Sequence, residues 1–240
     1  MSLRELSAEI CNELVAEIDK VPFRGFRIGL LMSDYIFLDL HRLPKVRTLS
    51  ERLFDKLRCF KSVFTNPGTT VGSGVLGYNK SLFLYQSDRQ DLLNFTKPVV
   101  ERIGYENVII YGVSAHVHEE WPPSATVIDS KMLPRIDKFL WWREFLKCAP
   151  LWNKSFSSFE RKYHLKPLMP LLSLGLVKAT QQLMRADSYL KLMQPDILVT
   201  DYDRSSQIAP FIVAGNALGI PTVTMIHNDP EPHPSFGIFP

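Results

Sequence analysis

The chain has 240 residues, 45% hydrophobic and 22% charged, the make-up of an ordinary globular protein long enough to bury a large core. Its net charge of +3, with acids and bases mixed along the chain, gives no electrostatic reason to expect nucleic acid, although a mildly basic face suits anionic substrates or the inner surface of a membrane. Cys11, Cys59 and Cys148 are widely spaced and odd in number, which argues against a disulfide scaffold or a zinc cluster and for buried thiols in a cytoplasmic protein.

In chain order, the first twenty residues carry Glu5, Glu9, Glu13, Glu17 and Asp19 among Leu3, Leu6, Ile10, Leu14 and Ile18. That pattern predicts an amphipathic helix and not the uninterrupted apolar core of a signal peptide. The apolar run Phe26 to Met32, ending at Ser33-Asp34, reads as a strand. Residues 48–60 read as a helix, Asn66-Pro67-Gly68 as a turn, and the glycines from Gly68 to Gly77 as an irregular loop with no phosphate-loop spacing. Ser81 to Gln86 predicts a strand, Asp88 to about Ile103 a helix disturbed at Pro98, Asn107 to Tyr111 another strand, and Ala125 to Ile128 a shorter one. Residues 134–192 change character, with Trp141, Trp142, Trp152, Phe156 and Phe159 in helices broken at Pro150, Pro167 and Pro170. Their tryptophans read chiefly as core packing, with a carbohydrate-stacking or membrane-contact surface as the alternative. Leu171 to Met193 reads as one long helix. No run is long enough and apolar enough to span a bilayer.

The end of the chain has the rhythm of a parallel crossover: a strand at Pro195 to Thr200, a polar turn Asp201 to Ser206 with Ser205 or Ser206 able to cap, and a helix over Ile208–Leu218 with Pro210 in its first turn. Gly219 stops that helix, and Thr222 to Ile226 reads as a second buried strand. The whole predicts one α/β domain over residues 1–240, with a Rossmann-like, mostly parallel sheet, helices on both faces and a helical insertion at 134–192. Open sheets of this kind bind ligands beyond the carboxyl ends of their strands. Polar residues gather at such ends: Asp34; Asp201 with Arg204 and Ser205; His227 with Asn228 and Asp229; and His116, His118 and Glu119 after Tyr111.

The stretch from Pro195 to Asp229 resembles a segment in the amino-terminal half of GT-B glycosyltransferases, particularly those that make bacterial surface or capsular polysaccharides. The matching positions are Pro195, Asp196, Ala217, Gly219, Ile220, Pro221, Val223 and His227; where the family has glycine after the histidine, this sequence has Asn228. The resemblance implies an acceptor-binding domain with a GT-B amino-terminal-domain-like fold and no tightly bound cofactor. A nucleotide-sugar donor would be held mostly by a second domain, and the acceptor would be a carbohydrate or glycolipid. Because the chain stops at Pro240 without a Gly-rich donor motif, the donor-binding carboxyl-terminal domain is expected to be missing or supplied by a partner chain. The expected place is the cytoplasm, with peripheral contact at the inner membrane face. His227, Asp201 and Asp34 are the base or orienting candidates, and Arg204, Ser205, Asn228, Asp229, His116, His118 and Glu119 the substrate-binding ones.

Other readings stay open. UDP-sugar epimerases share the pattern, and an isolated half could instead be a non-catalytic subunit that docks on a catalytic partner. Asp201-Tyr202-Asp203 resembles the metal-binding Asp-x-Asp of GT-A transferases, but the helix and buried strand expected after it favour the Rossmann-type reading, and no metal is assigned. The His116–Glu119 loop would suit a metal-dependent enzyme; a hydrolase is disfavoured because no Gly-x-Ser-x-Gly elbow is present.

Overall fold

The computed structural model describes residues 3–33, 36, 57, 61, 80–85, 90–112, 119–163, 169–200 and 207–225. Helices α1 (Leu3–Asp19), α2 (Gln90–Ile103), α3 (Lys138–Lys162), α4 (Met169–Met193) and α5 (Ala209–Ala217) accompany strands β1 (Ser81–Tyr85), β2 (Val108–Gly112), β3 (Thr126–Asp129), β4 (Ile197–Thr200) and β5 (Thr222–Thr224). The chain divides into two compact units, one of residues 1–66, 136–182 and 231–240, the other of residues 67–135 and 183–230. The expected helix at 48–60 and the loop of residues 66–77 fall outside the described residues except at Leu57, which is helical.

In the first unit α1 packs on α3. The helical spacing of Ile10, Cys11, Leu14 and Ile18 puts all four on one buried face. From α3 come Trp141, Phe145, Cys148, Trp152, Phe156 and Phe159, again one face. Two buried indoles keep their N–H groups satisfied: Trp152 donates to the Val21 carbonyl at 3.1 Å and Trp141 to Thr180 Oγ1 at 3.0 Å. The Thr180 hydroxyl in turn donates to Leu176 O at 2.7 Å. The core reading therefore holds for Trp141 and Trp152, but Trp142 is 42% exposed.

Two expectations fail in this unit. Residues 26–32 are not a strand: Phe23 and Phe26 close a tight turn, and residues 29–33 are helical. A short apolar run does not distinguish strand from helix, and here Ile28, Leu31 and Met32 bury themselves at helical spacing. The Gly29 N–H donates to Asp19 Oδ1 at 2.6 Å, so an acid at the end of α1 caps the next turn. Pro150 does not break the helix either; it lies inside α3. A missing N–H and a steric clash cost about 3 kcal/mol, yet buried aromatic and thiol side chains on both sides of Pro150 hold the two halves in one helix.

Among the described residues, the second unit holds a five-stranded parallel sheet in the order β3-β2-β1-β4-β5. One face packs Phe83, Val108, Ile110 and Val199 against Val100 of α2 and Trp121. On the other, Tyr111 stacks 4.8 Å from Phe211 of α5, and Tyr189 of α4 meets the same ring edge-on at 6.2 Å. Gly215 brings α5 so near to β4 that a Cβ there would collide with the Leu198 side chain. The expected α/β arrangement with helices on both faces is present. At its end, Gly219 takes φ +73 and stops α5 as anticipated. The N-cap of α5 falls at Ile208, past Ser205 and Ser206, with no side-chain cap; Pro210 in the first turn has no N–H to satisfy. Among the described strands β5 lies at an edge, not buried as expected, with Val223 47% exposed.

Candidate functional site

The strand order sets where a ligand can be held. From β1 the chain steps outward to β2 and β3 on one side, then returns to β1's other side for β4 and β5. β1 and β4 therefore flank the point where the order reverses. α2, which follows β1, packs on the Phe83 face, and α5, which follows β4, packs on the Tyr111 face. Parallel sheets of this kind hold ligands beside such a reversal, at the carboxyl ends of the two strands.

The register brings the strand ends level. Tyr85 pairs with Gly112, Leu84 with Thr200, and Thr200 with Thr224. The Met225 N–H donates to the Thr200 carbonyl at 2.8 Å, carrying the β5 pairing one residue further. Thr200 is buried, so the last residue of β4 belongs to the floor, and the polar run Asp201-Tyr202-Asp203-Arg204-Ser205 follows it directly in the sequence.

Beneath this edge lies a buried polar layer that sequence reasoning did not find. Tyr111 is fully buried, and its hydroxyl has no hydrogen-bond partner among the described residues. Burial pushes that hydroxyl up to about 12, against the pull of Arg185 and with a smaller push from Asp129. Arg185 is buried too and donates to the carbonyls of Ser130, Pro134 and Leu133. Burial lowers the Arg185 pKa, opposed by Tyr111 and Asp129. Through Nε and Nη2, Arg185 fastens the turn after β3. Further along α4, Asp187 Oδ2 accepts from Lys191 Nζ at 2.8 Å.

Of the ten residues proposed from sequence, Glu119 alone lies among the described residues. It is exposed in a helical turn after β2. The neighbouring Glu120 accepts from Lys97 of α2 at 3.4 Å and Trp121 enters the α2-side core. His227, Asp201, Asp34, Arg204, Ser205, Asn228, Asp229, His116 and His118 lie outside the described residues. Their places in the chain still separate them. Asp201, Arg204 and Ser205 follow β4; His227, Asn228 and Asp229 follow β5; His116, His118 and Glu119 follow β2, all strands of one sheet with level ends. Asp34 differs: it follows the helical residues 29–33, within the stretch assigned to the first unit, so its expected position at a strand end is not met.

A further segment is marked by its place in the chain. Gln86-Ser87-Asp88-Arg89 follows β1 in the sequence as the Asp201–Ser205 run follows β4, with the same types of side chain, and β1 and β4 are neighbours in the sheet. Nothing local marks it out; only the strand order makes β1 the neighbour of β4. Among the described residues, no three His, Cys, Asp or Glu side chains gather as a metal site.

Comparison of the chain with protein-family models, with curated proteins and with solved structures found no match.

Proposed function

We propose that the chain is the acceptor-binding part of a nucleotide-sugar-dependent glycosyltransferase of GT-B type, acting in the cytoplasm in the synthesis of a surface polysaccharide or glycoconjugate. The observation that carries this reading is the reversal of strand order between β1 and β4. It sets Asp201-Tyr202-Asp203-Arg204 directly after one of the two flanking strands, and parallel sheets hold ligands at that place. The resemblance of residues 195–229 supplies the chemistry. On this reading Asp201 or His227 accepts the proton of an acceptor hydroxyl, and Arg204 faces the negative charge of the departing diphosphate. Asp34 has no support from the sheet and drops behind those two as a base. The nucleotide sugar is then a substrate held mainly by a second domain or partner chain, and a glycolipid acceptor would bring the protein to the inner face of a membrane.

The test is titration of the 240-residue chain with oligosaccharides and with nucleotide sugars, followed by calorimetry and saturation-transfer NMR. Saccharide binding is expected, with nucleotide sugars bound weakly or not at all. Asp201→Asn and His227→Ala should each weaken saccharide binding about tenfold, the cost of one strong hydrogen bond to the acceptor hydroxyl, with circular dichroism unchanged. Tight nucleotide-sugar binding by this chain alone would contradict the proposal, as would saccharide binding that ignores both substitutions.

A further inference from the structure

The outward side of α3 carries a pattern that the packing of the first unit does not use. At 100° per residue, Phe139, Trp142 and Leu146 fall in one strip, and Arg143, Lys147 and Lys154 in the strip beside it. Phe139 is 79% exposed and Leu146 50% exposed. Trp142 rests its ring on Trp141, centroids 5.6 Å apart, and lies nearly parallel to Phe145 at 6.4 Å. Buried aromatics thus hold it in place, and its outer edge stays in solvent.

The charge beside this strip has one sign. α3 contains six Lys and Arg residues and two Glu. Glu144, the acid nearest the strip, is 17% exposed and lies 2.9 Å from both Arg143 and Lys147. Two cations share one mostly covered carboxylate, which leaves the outward side positive. Large apolar side chains next to a basic row make an interfacial helix: the first enter the acyl boundary and the second meet lipid phosphates. A second copy docked along the same strip would set basic row near basic row, so charge complementarity selects an anionic partner.

We propose that this side of α3 is a peripheral docking surface for anionic lipid, with Phe139, Trp142 and Leu146 inserted and Arg143, Lys147 and Lys154 on the headgroups. It depends on α3 alone and needs no sugar chemistry, so it stands or falls separately from the transferase reading.

Trp142 supplies the probe. The chain has four tryptophans, and the other three, Trp121, Trp141 and Trp152, are buried. Vesicles of phosphatidylcholine alone, and of phosphatidylcholine mixed with phosphatidylglycerol, are added to the full chain without saccharide. Co-sedimentation is expected with the mixed vesicles only, together with a blue shift of emission and quenching by brominated acyl chains. Trp142→Phe should remove the spectral change and leave most of the co-sedimentation. Phe139→Ser with Leu146→Ser should lower partitioning at least about tenfold. Arg143→Gln, Lys147→Gln and Lys154→Gln together should lower it about a hundredfold, as should high salt. All these positions are on the surface, and circular dichroism should stay unchanged. No binding to mixed vesicles, equal binding to neutral ones, or indifference to the Phe139/Leu146 change would each overturn the proposal. So would a lipid-free dimer, seen by sedimentation velocity, that the Phe139/Leu146 change abolishes.

Discussion

Gly29 stands where an added methyl group would run into the Val15 carbonyl oxygen, a backbone atom that cannot swing aside. Gly29→Ala should therefore destabilise the protein by about 1–3 kcal/mol, read as a lower denaturation midpoint. Tyr111 argues in the opposite direction. Its buried hydroxyl has no partner among the described residues, so Tyr111→Phe should leave stability unchanged or raise it by about 1 kcal/mol. The same residue makes stability fall in alkali. Unfolded, the phenol ionises near pH 10; folded, near 12. Its contribution is complete below pH 10 and is lost as pH rises toward 12, about 2–3 kcal/mol in all. Tyr189, raised by burial as well, acts with the same sign. Urea unfolding at pH 8 and near pH 11 should show a smaller alkaline loss in Tyr111→Phe than in the parent. At this scale the sequence was partly legible. The burial of Cys11 and Cys148 was expected from composition. That Trp141 and Trp152 would turn inward while Trp142 faced out depends on where α1 and Thr180 lie, which neighbours in the chain do not reveal.

Elements with strong periodicity announced themselves. The helix from Asp88 to Ile103 and the strands around Leu82, Ile109 and Leu198 lie within a few residues of their predicted bounds, because alternating turn signals and apolar runs carried them. The failures had local causes. Residues 26–32 are too short to show a period, and the capping of Gly29 by Asp19 reaches back to another element. The intrinsic preference of proline marks Pro150 as a stop, and packing overrides it. That conflict remains measurable. Pro150→Ala should raise stability by about 2–2.5 kcal/mol, the helix penalty of proline less the greater freedom alanine gives the unfolded chain. A thermal midpoint below that of the parent would contradict this account. Asp137 should behave oppositely. Its carboxylate accepts from the Leu140 N–H at 3.0 Å, and Asp137→Ala should cost about 0.5–2 kcal/mol through loss of the α3 N-cap.

For the whole molecule, the class of fold was legible and the order of the strands was not. Each strand–helix–strand step is local, whereas the pairing of β1 with β4 joins stretches on either side of α3 and α4. Yet that pairing is what makes β1 and β4 neighbours, the two strands that residues 86–89 and 201–205 follow in the sequence. The strand expected before Asp34 fails for a related reason: residues 26–32 bury themselves at helical spacing, which a short apolar run does not reveal. The topology also ranks local stability. Amide hydrogen exchange should be slowest in β1, which is paired on both sides and covered on both faces, and fastest in β5. Equal protection of β5 and β1 would count against β1 lying at the centre of the sheet and β5 at its rim.

The two outermost strands have a consequence for how the protein behaves at high concentration. β5 has three residues and β3 has four, and among the described residues each has a neighbour on one side in the sheet. A free edge tempts other chains to add a strand, and its appeal grows with its length. Edges this brief present only a couple of unmatched amides apiece. Brevity at the rims thus shields the molecule from edge-to-edge aggregation without any charged or proline guard residue in β5 itself.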